Sequence, residues 1–403
     1  MPLFRPSALS QWLNQPQEPN KRSMLYALCS LVTAFMCGHS ESIIGRGEWD
    51  AIARRLIEKS LSTRSEYSFV EDNSVLTLLA SFFVAVTYFE LHNPRLSWFY
   101  LREAITLAHA LELHTEKYYR GMNYVDTLYC RRIYNILFVT ERSLAIARHK
   151  LVLLSQPLPH PALAPDGSPE GLEEQAEIDH GFRQLVRIYS QIDINFLDFW
   201  SRKGAPCSGS SWEQGGSSLL LDDGVISDAQ RADICVTQLW FDLVLWRAAL
   251  QQGLLSTKAE LRSRTFSYPE DIALSLLRIL SSLPSESVDV HGLGIVSPTL
   301  QSLHVLLTLS SQFEKISEVG NTLADFIHCS AGLTGWTENM AQNLDRLGSI
   351  RKRLSLSPNS HGKLAVSLGK RLAEFDLCYK SPLNVLRELD CVSEDMTTEE
   401  KEE

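Results

Sequence analysis

PRLSWFYLREAITLAHALELHTEKYY (Pro94–Tyr119) and, after a short polar loop, CRRIYNILFVTERSLAIARHKLVLLSQPLPHP (Cys130–Pro161) decide the fold of this chain. In the first stretch Trp98, Leu101, Ala104, Ile105, Ala108 and Leu111 recur at helical spacing and make one apolar stripe. In the second, Ile133, Ile136, Leu137, Thr140, Leu144 and Ala147 repeat the pattern. The spacing predicts helices over Pro94–Leu113 and Tyr124–His149. Pro94 suits a first helical turn, because the N–H it lacks has no intrahelical partner there. The second helix carries Arg131, Arg132, Glu141 and Arg142 inside its apolar pattern. Glu141 lies roughly two to three turns from Arg131 and Arg132, beyond the reach of a local pair. Their partners are therefore expected on other helices. One reading makes these residues buried ion pairs that fix helix packing; the other makes them a polar contact that relays ligand state between helices.

Working outward, the same periodicity recurs and strand signals are absent: no sustained alternation, and no Asn-Gly or Asp-Gly between β-branched runs. Helices are predicted at Lys21–Gly38, Glu48–Leu61, Asp72–His92, Ile178–Trp200, Ser227–Gln252, Pro269–Leu280, Pro298–Glu314, Asn321–Leu347 and Gly362–Phe375. Ser227 and Asp228 offer N-caps. The class is all-α, a multi-helix domain over 1–390 followed by an acidic, disordered tail over 391–403. Loops fall in Pro-rich 158–171, Gly/Ser-rich 203–224 and mixed 283–298, with a weak boundary near 210. The apolar run Val75–Phe89 is too short for a membrane span, which takes about 20 residues, and reads as a core helix.

Composition narrows the chemistry. With 403 residues, 44% hydrophobic and 21% charged, this is an ordinary globular chain. A net charge of −10 gains nothing from phosphate neutralisation and argues against direct nucleic-acid binding. The eight cysteines form no C-x-x-C pair and read as reduced, mostly buried thiols. His109 and His114 are five apart, a spacing that turns two rings to different helix faces and does not suit zinc, which favours i,i+4. His149, His160 and His180 read as surface or loop residues. Cys207 lies in a Gly/Ser loop without a nearby histidine, GSSWEQGGSS lacks the lysine of a phosphate loop, and no G-x-S-x-G elbow exists. No nucleophile, base and orienter come together, so no enzyme and no metal or other cofactor is expected. Arg351, Lys352 and Arg353 form the one dense basic cluster, read as a solvated helix end in preference to a nuclear import signal or kinase site.

The paired stretches resemble the central regulatory region of fungal transcription factors of the binuclear zinc-cluster class. Trp98, Leu101, Ala104, Ile105, Leu107, Ala108, Leu111, Leu113 and His114 match the family's first block; Arg131, Arg132, Leu137, Phe138, Glu141 and Arg142 match its second. Asn135 departs from it, standing where the family usually has tryptophan. The likeness runs from about Leu25 to Ile327 with its signature at 94–161, and WRAALQQGLLS, FSYPEDIALSLL and VDVHGLGIV look like regulators of sugar-use and secondary-metabolite genes. A binuclear zinc cluster takes six cysteines within about thirty residues, and this cysteine pattern does not supply them. The resemblance therefore implies a nuclear regulator of a gene set, without its own zinc-cluster module, that reaches DNA through a protein partner or a homodimer and responds to a small-molecule effector. The alternatives are a DNA-independent co-regulator pairing with full-length relatives, and a helical small-molecule-binding protein or enzyme. Trp98, Ala104, Ile105, His114, Arg131, Arg132, Glu141 and Arg142 carry the signature and are expected to be structural.

Overall fold

The computed structural model describes residues 3, 6–15, 17–36, 46–159, 172–201, 226–284, 303–334, 338–356 and 362–375. Among these it contains thirteen α-helices and no strand: α1 (Pro6–Leu13), α2 (Pro19–Met36), α3 (Arg46–Thr63), α4 (Val75–Glu90), α5 (Pro94–Ala110), α6 (Tyr124–Arg148), α7 (Leu172–Ser190), α8 (Ile194–Ser201), α9 (Asp228–Gln251), α10 (Tyr268–Ser282), α11 (Leu303–Thr334), α12 (Glu338–Leu356) and α13 (Lys363–Phe375). The fold is all-α, as the periodicity predicts.

Local chemistry sets the helix starts. Ser74 accepts from the Leu76 N–H at the head of α4, Asn93 from Leu96 at α5, and Asn123 from Asp126 at α6. Pro94 occupies the first turn of α5. Ser227 caps α9 through a full capping box, exchanging side-chain and backbone bonds with Gln230.

The helices enclose two apolar cores. The first gathers α2 to α8 and one face of α9, with Phe82, Phe83, Leu101, Ile105, Leu137 and Phe138 fully enclosed. The second gathers the opposite face of α9 with α10 to α13, around Leu243, Leu276, Leu323, Leu347 and Leu368. Polar ties fix neighbouring helices. Ser23 donates to the Ser60 carbonyl and Ser60 to that of Ser23, at 2.9 and 2.8 Å, locking α2 to α3. Arg64 and Ser81 both donate to Glu103, at 2.5 and 2.6 Å, tying the end of α3 to α4 and α5.

α9 forms the wall between the cores. Trp240 Nε1 donates to Glu318 on α11 at 2.6 Å, Arg247 pairs with the same carboxylate, and Arg247 Nη2 reaches the Thr322 hydroxyl at 2.6 Å. A helix apolar on both faces with a polar seam along one edge belongs between two cores rather than at a surface.

Three helix predictions need correction. The single helix expected over Ile178–Trp200 is two, because Asp193 accepts from the Phe196 N–H at 2.6 Å and starts α8 afresh, while the Ile192 carbonyl turns to Arg142. The break expected between Glu314 and Asn321 is absent: α11 runs unbroken through Gly320, whose missing side chain leaves room for Leu368 and Ile350 of α13 and α12. The second signature helix is buried on all sides from Leu128 to Val139, not on one stripe, and Ala147 faces solvent. Val75–Phe89 lies inside α4 as a core helix, and no helix among the described residues is long and apolar enough to cross a membrane. The thiols also differ from expectation: Cys130 is buried, Cys235 half-buried, and Cys29 and Cys329 exposed. Cys207, His160, the Gly/Ser loop, VDVHGLGIV and the acidic tail lie outside the described residues.

A Cβ on Gly320 would stand 3.0 Å from Leu368 Cδ1 and 3.3 Å from Ile350 Cγ2, whereas one on Gly348 of α12 would meet nothing within 4 Å. Gly320→Val is therefore expected to destabilise the chain by about 1–3 kcal/mol through overpacking. Gly348→Ala should stabilise it by about 0.5–1 kcal/mol through helix propensity. Urea denaturation of both variants against the parent chain checks the pair; equal shifts would contradict the packing at Gly320.

Candidate functional site

Three of the signature residues, Arg131, Glu141 and Arg142, gather on one structure: an extended segment, residues 151–159, laid along α6 and held there by side chains of α6 and α5. Pro157 and Pro159 keep this segment out of a helix, so its backbone groups need partners from elsewhere. Glu141 is fully buried and accepts the Leu153 N–H at 2.8 Å and the Leu154 N–H at 2.9 Å. Arg102 of α5 donates to the same carboxylate at 2.5 Å and to the Leu151 carbonyl at 3.3 Å. Arg142 donates to the carbonyls of Leu154 at 2.9 Å and Ser155 at 3.0 Å, and its Nε reaches the Ile192 carbonyl at 3.3 Å. About two turns earlier, Asn135 takes the Leu158 N–H at 2.7 Å and returns a bond to the Leu158 carbonyl at 2.9 Å. Arg131 completes the ladder at the Pro159 carbonyl, 2.8 Å.

The spacing explains the ladder. Residues 131, 135, 138 and 142 share one face of a 3.6-residue helix. The segment runs antiparallel, so Arg131 meets its far end and Arg142 its near end. Phe138 fills the rung between, with the Arg142 guanidinium stacked 3.6 Å from its ring centre.

Burial shapes the charges. Desolvation raises the Glu141 pKa above the ordinary carboxylate value, and the Leu154 and Leu153 amides and Arg102 oppose that rise. Desolvation lowers Arg142 to about 10, with Glu141 holding it up, so it stays charged at neutral pH. Tyr119 and Tyr118 are pushed up by burial beside Cys130, a thiol itself raised to about 11 and thus inert as a nucleophile.

The remaining signature residues sit around this frame. Arg132 is fully buried and pairs with Asp179 of α7 at 2.5 Å, the inter-helix partner the spacing demands. Arg131 pairs with Glu116 at 2.7 Å, a residue of the loop after α5 and not of a helix, which corrects that part of the expectation. Trp98 is half-buried beneath the Arg102 guanidinium at 5.1 Å, and Ala104 and Ile105 are fully buried in the first core. His114 is exposed.

Other candidates resolve as follows. His109 and His114 do meet, edge to face with ring centres 5.2 Å apart, because α5 ends at Ala110 and a turn through Glu112 at φ 59° brings His114 back. The expectation of divergent rings fails for that reason. Burial and then the His114 charge hold His109 below the ordinary imidazole range. No three His, Cys, Asp or Glu side chains gather as metal ligands among the described residues. His149 is no isolated surface residue: it ends α6 in a left-handed turn, stacks on Trp200 and bonds its carbonyl at 2.9 Å, while Trp200 Nε1 donates to Ile146 at 2.8 Å. His180 lies within α7, bonded to Gln184 at 2.8 Å. Of the basic cluster, Arg351 and Lys352 face solvent at the end of α12 and Arg353 donates to the Leu280 carbonyl at 2.7 Å.

Asn135 is the member that sequence reading misjudged. As a departure from the family pattern it reads as a loss of packing, yet it is fully buried and both its amide atoms are used. Asn135→Leu, which keeps its branched shape and its count of heavy atoms, leaves the Leu158 N–H and carbonyl unpaired and is expected to cost about 1–3 kcal/mol. Arg142→Met should cost more, about 3–5 kcal/mol, since it leaves the buried carbonyls of Leu154, Ser155 and Ile192 without their donor. Denaturant unfolding measures both, and limited proteolysis should cut the 151–159 segment of each variant first. Parent-like cleavage would sink the ladder.

Comparison with known proteins places the chain. No family model matches it, and no solved structure matches it. It is similar to the probable sucrose utilization protein SUC1 of Candida albicans, with 23% identity over 368 residues, 88% of this chain and 68% of that protein. It is similar to the maltose fermentation regulatory protein MAL13 of Saccharomyces cerevisiae, with 21% identity over 327 residues, 80% of this chain and 67% of the other. The respiratory transcription factor ZNF1 of the same yeast is 20% identical over 72% of this chain and 62% of its own length. The chain thus spans about two thirds of the length of these relatives. Over most of its length this chain is similar to fungal zinc-cluster transcription regulators.

Proposed function

We propose that the chain is the regulatory part of a transcriptional regulator acting on carbohydrate-use genes. The observation that carries this reading is the similarity to a sucrose utilization protein and a maltose fermentation regulatory protein over 80% or more of the chain. It favours sugar use over the secondary-metabolite role that the sequence also suggested. The described residues suit regulation better than catalysis, since the polar groups of the α6 site are bonded to backbone and to one another and none is poised on a reacting atom.

The regulator works in the nucleus. With a net charge of −10, these 403 residues gain little from contact with phosphates, and promoter engagement runs through a protein partner. The 151–159 segment carries two large apolar side chains outward, Leu151 and Leu153 at 58% and 46% exposure, on a backbone fixed by α6. A surface whose backbone is already ordered binds at low entropic cost.

Deletion of the gene in its host, with RNA profiling on sucrose, maltose and glucose, tests the reading. A set of co-located transporter and glycosidase genes should lose its response to the disaccharides. An unchanged transcriptome on all three sugars would reject it.

A further inference from the structure

On the face of α6 away from the 151–159 segment, a partly open cavity of about 50 Å³ lies between α4, α5, α6, α7 and α11. Its walls are mainly apolar, with Val86, Leu101, Ile136, Val139 and Leu185 among them. Three polar features interrupt them. Lys315 of α11 lines the cavity at 3% exposure. Ser97 lines it at 2% exposure, and its hydroxyl has no hydrogen-bond partner. Glu90 is the acidic member of the wall.

Lys315 is the decisive group. Its ammonium donates to the Thr237 hydroxyl at 2.8 Å and lies 5.6 Å from the Tyr189 ring centre and 5.5 Å from that of Trp240. No carboxylate stands within ion-pair distance of it among the described residues. The nearby acids are otherwise engaged: Glu318 with Arg247 and Trp240, and Glu314 with Arg148 at 3.8 Å. An ammonium has three donors, and a buried charge is costly without a counter-charge. Two aromatic faces and one hydroxyl offset part of that cost.

We propose that this cavity is a binding site for a short-chain monocarboxylate. The carboxylate pairs with Lys315 and accepts from the Ser97 hydroxyl, and the short apolar body lies against Val86, Leu101, Ile136 and Val139. Size sets the class, since one water needs about 10–15 Å³ by this measure. The space therefore suits an anion of about two to four carbons better than an intact disaccharide. Charge narrows it further, because a second carboxylate would meet Glu90. The site stands independently of the regulatory reading, because binding is measured on the purified chain alone.

Isothermal titration of the 403-residue protein with sodium propionate, propionamide, sodium malonate and sodium chloride tests the proposal. Propionate should bind at one site, at least tenfold tighter than propionamide or malonate, with no saturable heat from chloride. Lys315→Met, which keeps the length of the side chain without its charge, should lose propionate binding at least tenfold, and Lys315→Arg should retain it. Propionamide binding as well as propionate, or no saturable binding by any probe, would overturn the proposal and leave Lys315 joined to Glu90 through water. The propionate-to-propionamide ratio is read on the unaltered protein, so the outcome stands even where Lys315→Met does not fold.

Discussion

The buried pair Glu141 and Arg142 is the constraint on which the rest of this structure depends. Neither residue uses its charge mainly on the other. Glu141 collects two backbone N–H groups and the Arg102 guanidinium, while Arg142 serves two carbonyls of the 151–159 segment and a third at Ile192. Buried charges are costly unless their bonding capacity is filled. Here it is filled by backbone dipoles that themselves lack partners, so each need answers the other. Four parts of the chain are fixed by two adjacent residues: α5, α6, the extended segment and the link between α7 and α8.

That arrangement explains how the central helix can be buried nearly all round. A helix enclosed by apolar neighbours alone leaves its rotation and register weakly specified, because hydrophobic packing is non-directional. α6 is oriented by Asn135 and Arg142 on one side and by Arg132 to Asp179 toward α7. A second polar seam does the same for α9, where Trp240, Arg247 and Thr237 meet Glu318, Thr322 and Lys315 of α11. The two cores are thus joined along a line of directional bonds rather than an oily interface.

Much of this was legible in the sequence, and what escaped it did so for physical reasons. Helix starts are local chemistry, so Pro94 and Ser227 announce α5 and α9. Arginines too far from Glu141 to pair locally point to partners elsewhere, and Arg132 finds Asp179. Periodicity does not reveal the partner of a polar side chain: Asn135 looks like a packing defect until Leu158 lies beside it. Nor does it show when the chain leaves the helix. The five-residue spacing of His109 and His114 turns their rings apart on helical geometry, and a left-handed Glu112 brings them together. Gly320 reads as a breaker because a glycine costs helix stability, yet the closeness of Leu368 and Ile350 requires one there. Asp193 reads as a helical residue until the Ile192 carbonyl is claimed by Arg142. In each case a contact distant in sequence overrides a local preference.

The two faces of α6 then acquire different roles. At about 100° per residue, Arg131, Asn135, Phe138 and Arg142 cluster on one side, and Ile136, Val139, Thr140 and Ser143 centre roughly 120° away, on the cavity. Arg131 and Arg142 of the family signature lie on the side that binds the chain's own backbone. The other side borders the cavity, a buried ammonium and a hydroxyl without a partner. Both sides belong to one helix held in a single register, and packed interiors do not deform continuously. The cavity wall and the groups that hold the Leu151–Leu154 backbone are thus carried by the same helix.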